Sequence, residues 1–217
     1  MLTHPDPDQG LDRVYTTIES YYTAKVLKHG AHPRGVDWTC VATQELRFVQ
    51  LLKICTFSMP FSLNDVGCGY GALLAYLARR HPDAAVDYFG IDLSPAMIRL
   101  AERRWRNRAM AKFATDAACD RVADYSVASG IFNVKLNQPT DLWQRFVTKT
   151  LGNMRARSRR GFAVNFMAPQ DPAQPSIAEL YRTEPEPWIR YCKREFRSSV
   201  EVVRDYGLRE FTLLIRC

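Results

Sequence analysis

The stretch Asp65-Val66-Gly67-Cys68-Gly69-Tyr70-Gly71 ends an apolar run on an aspartate and follows it with three alternating glycines. Ser62–Val66 reads as a short strand and Ala72–Arg80 as a helix carrying Leu73, Leu74 and Leu77 inward, so the loop joins a strand end to a helix start. Glycines there permit a tight turn and let a flat ligand lie on bare backbone, while the helix N-terminus offers N–H groups to an anionic moiety. Alone, such a loop is a weak signal. Two carboxylates narrow it. Asp92 closes the second strand in Gly90-Ile91-Asp92, 25 residues beyond Gly67, where a carboxylate can accept hydrogen bonds from a ribose diol. Asp116 closes the third strand in Phe113-Ala114-Thr115-Asp116, at the same sheet edge, where it suits an adenine amino group. Each taken singly is also an ordinary strand-end cap; in succession they outline an adenosine site.

The elements that must position these residues follow from the pattern. From residue 62 the chain alternates strand and helix: strands at Ser62–Val66, Ala85–Ile91, Lys112–Thr115, Tyr125–Ser129 and Gly161–Met167. Ser94 is placed to cap a helix with Pro95 in its first turn, and Thr140 or Asp141 caps another with Leu142, Phe146, Val147 and Leu151 on its apolar face. Val200–Arg216 reads as a hairpin around Asp205-Tyr206-Gly207. The first 60 residues read as a helical lid, including a periodic stretch from Val41 to Ile54 in which Leu46, Val49 and Ile54 share a side. Residues 168–197 hold five prolines and break the rhythm as an insertion. Repeated βα units imply a parallel sheet with helices on both faces.

Leu63-Asn64-Asp65-Val66-Gly67-Cys68-Gly69-Tyr70-Gly71 resembles the first motif of class I S-adenosylmethionine (SAM)-dependent methyltransferases. Gly90-Ile91-Asp92-Leu93-Ser94-Pro95-Ala96-Met97-Ile98 resembles their second motif and Thr115-Asp116-Ala117 their third, and the likeness runs over residues 40–167. It implies an α/β three-layer sandwich: a seven-stranded, mostly parallel sheet in the order 3-2-1-4-5-7-6, with a C-terminal antiparallel hairpin and an N-terminal helical lid. It also implies one SAM-binding domain over residues 1–217, with 1–60 as lid and 168–197 shaping the acceptor pocket. By the same resemblance Gly67, Cys68 and Gly69 line the methionine part of SAM, with Asp65 beneath them. Asp92 binds the ribose, Leu93 and Met97 flank the adenine, Asp116 and Ala117 read its edge, and Ser129-Gly130-Ile131 pass beside the sulfonium. Arg47, 20 residues before Gly67, resembles the arginine that pairs with the SAM carboxylate. Gly35-Val36-Asp37-Trp38 and the stretch Tyr125–Lys135 resemble a narrower group of bacterial methyltransferase-like proteins found near polysaccharide and specialised-metabolite genes.

Methyl transfer needs mainly a positioned nucleophile and exclusion of water, with a base only when the nucleophile arrives protonated. The catalytic candidates are Asn133, just past strand four, and Tyr22 and His29 on the lid; Tyr21, Trp38, Tyr181 and Trp188 are candidates for the substrate pocket. The aromatics are equally placed for core packing, and His29 as a base is a choice among few histidines. No Asn/Asp-Pro-Pro-aromatic motif follows strand four and no paired cysteines stand there, which disfavours methylation of nucleic-acid bases. The expected acceptor is a small molecule, N- or O-methylated. Two alternatives stay open: an enzyme of this fold that transfers or cyclises the aminocarboxypropyl arm and releases methylthioadenosine instead of S-adenosylhomocysteine (SAH), and an RNA- or protein-modifying methyltransferase.

The net charge is +7, concentrated at 103–108 and 155–160. Both clusters fall at predicted helix ends, where cations complement the helix dipole, so nucleic acid is not the expected partner. Cys40, Cys55, Cys68, Cys119, Cys192 and Cys217 show no metal-ligand spacing and read as reduced thiols, with no metal expected. Met1–Gly10 is polar and proline-bearing, unlike a secretory leader, and no run is long enough to span a bilayer. The expectation is a cytoplasmic monomer or homodimer, away from membranes.

Overall fold

The computed structural model describes residues 10–170, 173 and 177–217. The chain forms helix α1 (Leu11–His29), α2 (Val41–Leu51), strand β1 (Phe61–Val66), α3 (Ala72–Arg80), β2 (Val86–Asp92), α4 (Pro95–Trp105) and β3 (Ala111–Thr115). It continues through β4 (Ala123–Ala128), α5 (Thr140–Ala156), β5 (Ser158–Met167), α6 (Pro185–Phe196), β6 (Ser199–Val203) and β7 (Glu210–Arg216). One sheet carries all seven strands in the order β3-β2-β1-β4-β5-β7-β6. Its first five strands run parallel, while β7 pairs antiparallel with both β5 and β6. This is the order and the closing hairpin expected from the sequence.

The central strands are buried along most of their length, as a sheet covered on both faces requires. On one face Phe132, Phe166 and Trp188 stack in series, with ring centres 5.0 and 5.4 Å apart and planes within 16° and 8° of parallel. On the other, Phe48, Leu51, Leu73 and Leu77 pack over Leu63, Tyr88 and Val127.

Ser94 caps α4 as expected, accepting from the Met97 N–H. The cap of α5 differs: Pro139 occupies that position with no side-chain bond, and Thr140 is the first helical residue. The burial of α2 also differs. Val49 is 40% exposed, and the buried residues are Gln44, Arg47, Phe48, Gln50 and Leu51, so that this helix buries an arginine and two glutamines. Hydrophobic periodicity misses that face because Gln44 and Arg47 find partners far away in sequence, Tyr70 and Glu210.

The lid is fastened rather than loose. Thr23 Oγ1 lies 2.6 Å from Ser94 Oγ, tying α1 to the start of α4. Lys25 Nζ pairs with Asp37 Oδ1 at 2.5 Å, and the Tyr21 hydroxyl donates to the other oxygen of Asp37. Residues 30–38 are thereby held against α1, which brings Val36 and Trp38 over the C-terminal end of the sheet.

Candidate active site

A cavity opens where β1, β2, β3 and β4 end, roofed by α1 and residues 36–38. Ligands of open α/β sheets bind at that edge, where strand order reverses; here the reversal falls between β1 and β4. Gly67 turns the chain at φ +74°, and a Cβ on it would strike Ile131 Cγ2. Glycine at this position therefore lets the segment after β4 close on the loop. The N–H groups of Gly67 and Cys68 donate to the Ile91 carbonyl, at 2.8 and 2.9 Å, and Gly71 N–H donates to Cys68. These loop amides are thus used to brace the turn and are not free for an anion.

Asp92 accepts from the Gly69 and Ser94 N–H groups, both at 2.9 Å. Enclosure by the protein pushes its carboxyl up to about 6, although both hydrogen bonds pull the other way. Asp65, 2% exposed, accepts from the Tyr88 hydroxyl at 2.5 Å. Burial raises its carboxyl to about 7, with the charge of Asp92 adding to the rise. Two carboxylates under the loop are therefore costly to ionise together, and a cationic or hydroxyl-bearing ligand would relieve that cost. Asp116 stands exposed at the mouth, accepting from Ala118 N–H at 3.1 Å.

Of the residues carried over for the ligand, Asp65, Gly67, Cys68, Gly69, Asp92, Leu93, Met97, Asp116, Ala117, Ser129, Gly130 and Ile131 all line this cavity. Arg47 does not. Its guanidinium grips Glu210, with Nε 3.0 and 2.8 Å from the two carboxylate oxygens, and lies 3.7 Å from the centre of the Trp38 ring. An arginine spent on a buried glutamate is not presented to a ligand carboxylate.

A family model for the methyltransferase domain matches residues 64–159. A Mycobacterium tuberculosis protein named "Putative methyltransferase Rv1506c" is 46% identical over 165 residues, spanning 76% of this chain and 98% of its own. The chain belongs to the class I SAM-dependent methyltransferases. Solved structures share the fold at lower identity. Magnesium protoporphyrin IX methyltransferase from Synechocystis PCC 6803, with bound SAH, has a TM-score of 0.53 at 16% identity over 93% of this chain and 82% of that one. Phosphoethanolamine N-methyltransferase 1 from Haemonchus contortus reaches a TM-score of 0.67 at 12% identity, over 96% of this chain and 50% of its own.

The acceptor-side residues of the methyltransferase fall out differently from expectation. Tyr22 and Trp38 line the cavity. Burial raises the Tyr22 hydroxyl, which keeps it protonated. Tyr21 faces Asp37 instead, and His29 is the last residue of α1, away from the cavity. Asn133 is 3% exposed beyond the lining, its amide without a partner among the described residues. Tyr181 and Trp188 belong to the core: Trp188 stacks on Phe166, and Tyr181 accepts from Gln144 at 3.4 Å. The segment 168–197 contains α6, whose Trp188 and Cys192 are buried against the sheet, and none of its described residues lines the cavity.

Sequence reasoning missed Glu19, Gln44, Phe146 and Thr150, all on the lining. The signal was present in α1, where Tyr15, Ile18, Glu19 and Tyr22 fall at i, i+3, i+4 and i+7 and share one face. Gln44 accepts from the Tyr70 hydroxyl at 3.3 Å, and Ser129 Oγ is buried in the cavity wall without a partner among the described residues. Among the described residues no group of three His, Cys, Asp or Glu side chains is placed to hold a metal, and no helix is long and apolar enough to cross a membrane. The arginine clusters are partly engaged in contacts within the chain at its surface: Arg104 and Arg108 lie over Trp105, and Arg157 pairs with Asp120.

Proposed function

We propose that the enzyme methylates a nitrogen or oxygen of a small, largely apolar acceptor, in specialised-metabolite or polysaccharide biosynthesis. The observation that carries this reading is the cavity itself, which joins an adenosine-shaped end to a roofed aromatic end. At the first end stand Asp92, Leu93, Met97, Asp116 and Ala117; at the second, Tyr22, Val36, Trp38 and Phe48 under α1. A roof pinned by Thr23, Lys25 and Tyr21 suits a small molecule better than a polymer. The residues fit SAM: a cradle that only glycine allows at Gly67, acidic groups for hydroxyl and ammonium donors, and a buried Ser129 hydroxyl awaiting a partner.

SAM, when bound, supplies an electrophilic methyl group on a sulfonium. The protein's part is to hold, orient and exclude water. Asp92 accepts from ribose hydroxyls, Asp116 and Ala117 meet the adenine edge, and Gly67–Gly69 lie along the methionine. On the acceptor side, Tyr22 and Gln44 orient the nucleophile, and Glu19, the carboxylate of α1 that faces the cavity, receives its proton where one must be lost. Six free cysteines support a reducing, cytoplasmic setting.

The test is incubation with SAM and a panel of small amines, phenols and sugars, followed by mass spectrometry of the nucleoside product. SAH together with a product heavier by one methylene unit supports the reading. Methylthioadenosine would replace it with transfer of the aminocarboxypropyl arm.

A further inference from the structure

Arg47, Glu210 and Asn165 line no part of the cavity, yet all three are buried and joined to its wall. Arg47 on α2 donates from Nε to both oxygens of Glu210 on β7, from Nη2 to one of them, and from Nη1 to the Thr43 carbonyl at 2.7 Å. Glu210 Oε2 accepts from Asn165 Nδ2 on β5 at 2.7 Å. Asn165 Oδ1 in turn accepts from the Gly130 N–H at 2.7 Å. The orientation of the Asn165 amide is fixed, because flipping it would set its oxygen against a carboxylate and its NH2 against an N–H.

The circuit closes through Trp38. One face of the indole lies 3.7 Å from the Arg47 guanidinium, and its benzo edge lies where a Cβ on Gly130 would have to stand. Gly130 sits at φ +73°, so an L side chain there is disfavoured twice, by backbone and by contact. Of the five members only Trp38 and Gly130 face the cavity. A buried ion pair is weak evidence of stability, since burying two charges costs nearly what their attraction returns. A pair whose hydrogen bonds run on through Asn165 to the Gly130 N–H needs another explanation.

We propose that Arg47, Glu210 and Asn165 are positioning residues that fix the Trp38–Gly130 wall, and so set affinity for the SAM moiety without touching it. The proposal rests on the cavity being the SAM site, which wild-type binding of SAH tests separately. Arginine holds the ring by its flat face and the glutamate by its fork, a pair of tasks that a lysine cannot perform together.

The experiment is calorimetric titration of SAH into Asn165→Ala, into the charge-neutral pair Arg47→Met with Glu210→Gln, and into the triple variant. The pair is used because Arg47→Met alone leaves a buried carboxylate uncompensated and threatens the fold. Melting curves without ligand accompany each titration. The expected result is about tenfold weaker SAH binding for Asn165→Ala and for the pair, with the triple variant within about twofold of the weaker of them, because members of one network are not additive. Lower melting temperatures with unchanged affinity would overturn the proposal by making the network merely structural. Weakening by the pair but not by Asn165→Ala would overturn it by returning Arg47 to the ligand. Effects that multiply in the triple variant would overturn it by making the residues independent.

Discussion

Replacing Tyr88 by Phe removes the hydroxyl that meets Asp65 Oδ2, at 2.5 Å in a site closed to solvent. In the wild type the Asp65 carboxyl stands at about 7 in the folded protein against an ordinary 3.8, because burial outweighs that hydrogen bond. The folded state therefore holds more protons than the unfolded one between these values, and stability falls as pH rises from about 4 to about 7, by roughly 1.4 kcal/mol for each step of one in pH. A hydrogen bond is worth about 1 kcal/mol to a neutral group and about 2–3 kcal/mol to a charged one. Tyr88→Phe should thus cost about 1 kcal/mol at pH 6, where Asp65 is protonated, and about 2.5 kcal/mol at pH 9, where it is not. The same difference pushes the carboxyl of the variant higher still, so the decline of stability continues to a higher pH than in the wild type. Urea unfolding of both proteins at pH 6, 7, 8 and 9 reads this directly, since every other carboxyl, imidazole and thiol is common to the pair. A constant difference across that range would refute both the high carboxyl and its cause.

Asp92→Ala should weaken SAH binding by about 2–3 kcal/mol, read by calorimetry, through loss of the ribose acceptor and of the brace on Gly69; unchanged affinity would remove Asp92 from the site. Affinity for SAM should fall as pH drops below about 7, because cation and hydroxyl donors favour the ionised forms of Asp65 and Asp92, and titration in buffers of different ionisation heat should detect proton release between about pH 6 and pH 7. Trp188→Ala should cost about 3–5 kcal/mol of stability and leave the SAH dissociation constant of the folded protein unchanged, since its ring stacks on Phe166 in the core. A large change in that constant with little loss of stability would restore it to the pocket.

The ligand side of the site was legible because its residues sit at strand ends in one continuous stretch. A glycine loop, Asp92 and Asp116 are each fixed by local sequence, and parallel pairing of β1, β2 and β3 brings them to one edge. Arg47 was misread for a reason of another kind. Its helix position is as expected, but its partner lies on β7, and nothing near residue 47 announces Glu210. Trp188 and Tyr181 were assigned to the pocket from their place in a proline-rich insertion. The structure instead uses them where any large aromatic is most useful, closing the core under α5 and α6. His29 fell to geometry, since at the end of a helix its place on the lid gave no direction. Glu19 and Gln44 were overlooked because a polar residue at an inward helical position is invisible to a search for apolar stripes.

The strand that completes the sheet comes last in chain order and lies between two that precede it. β7 enters between β5 and β6, and its first residue is Glu210. The half of the cavity made by residues 61–116 needs only neighbouring segments, whereas the Trp38–Gly130 wall waits for a contact that closes across 163 residues of sequence. Entropy makes such a closure late. A nascent chain stalled before β7 would already hold the cradle for adenosine while lacking the brace opposite it. In pulsed hydrogen exchange during refolding, the Gly69 amide should gain protection before that of Gly130.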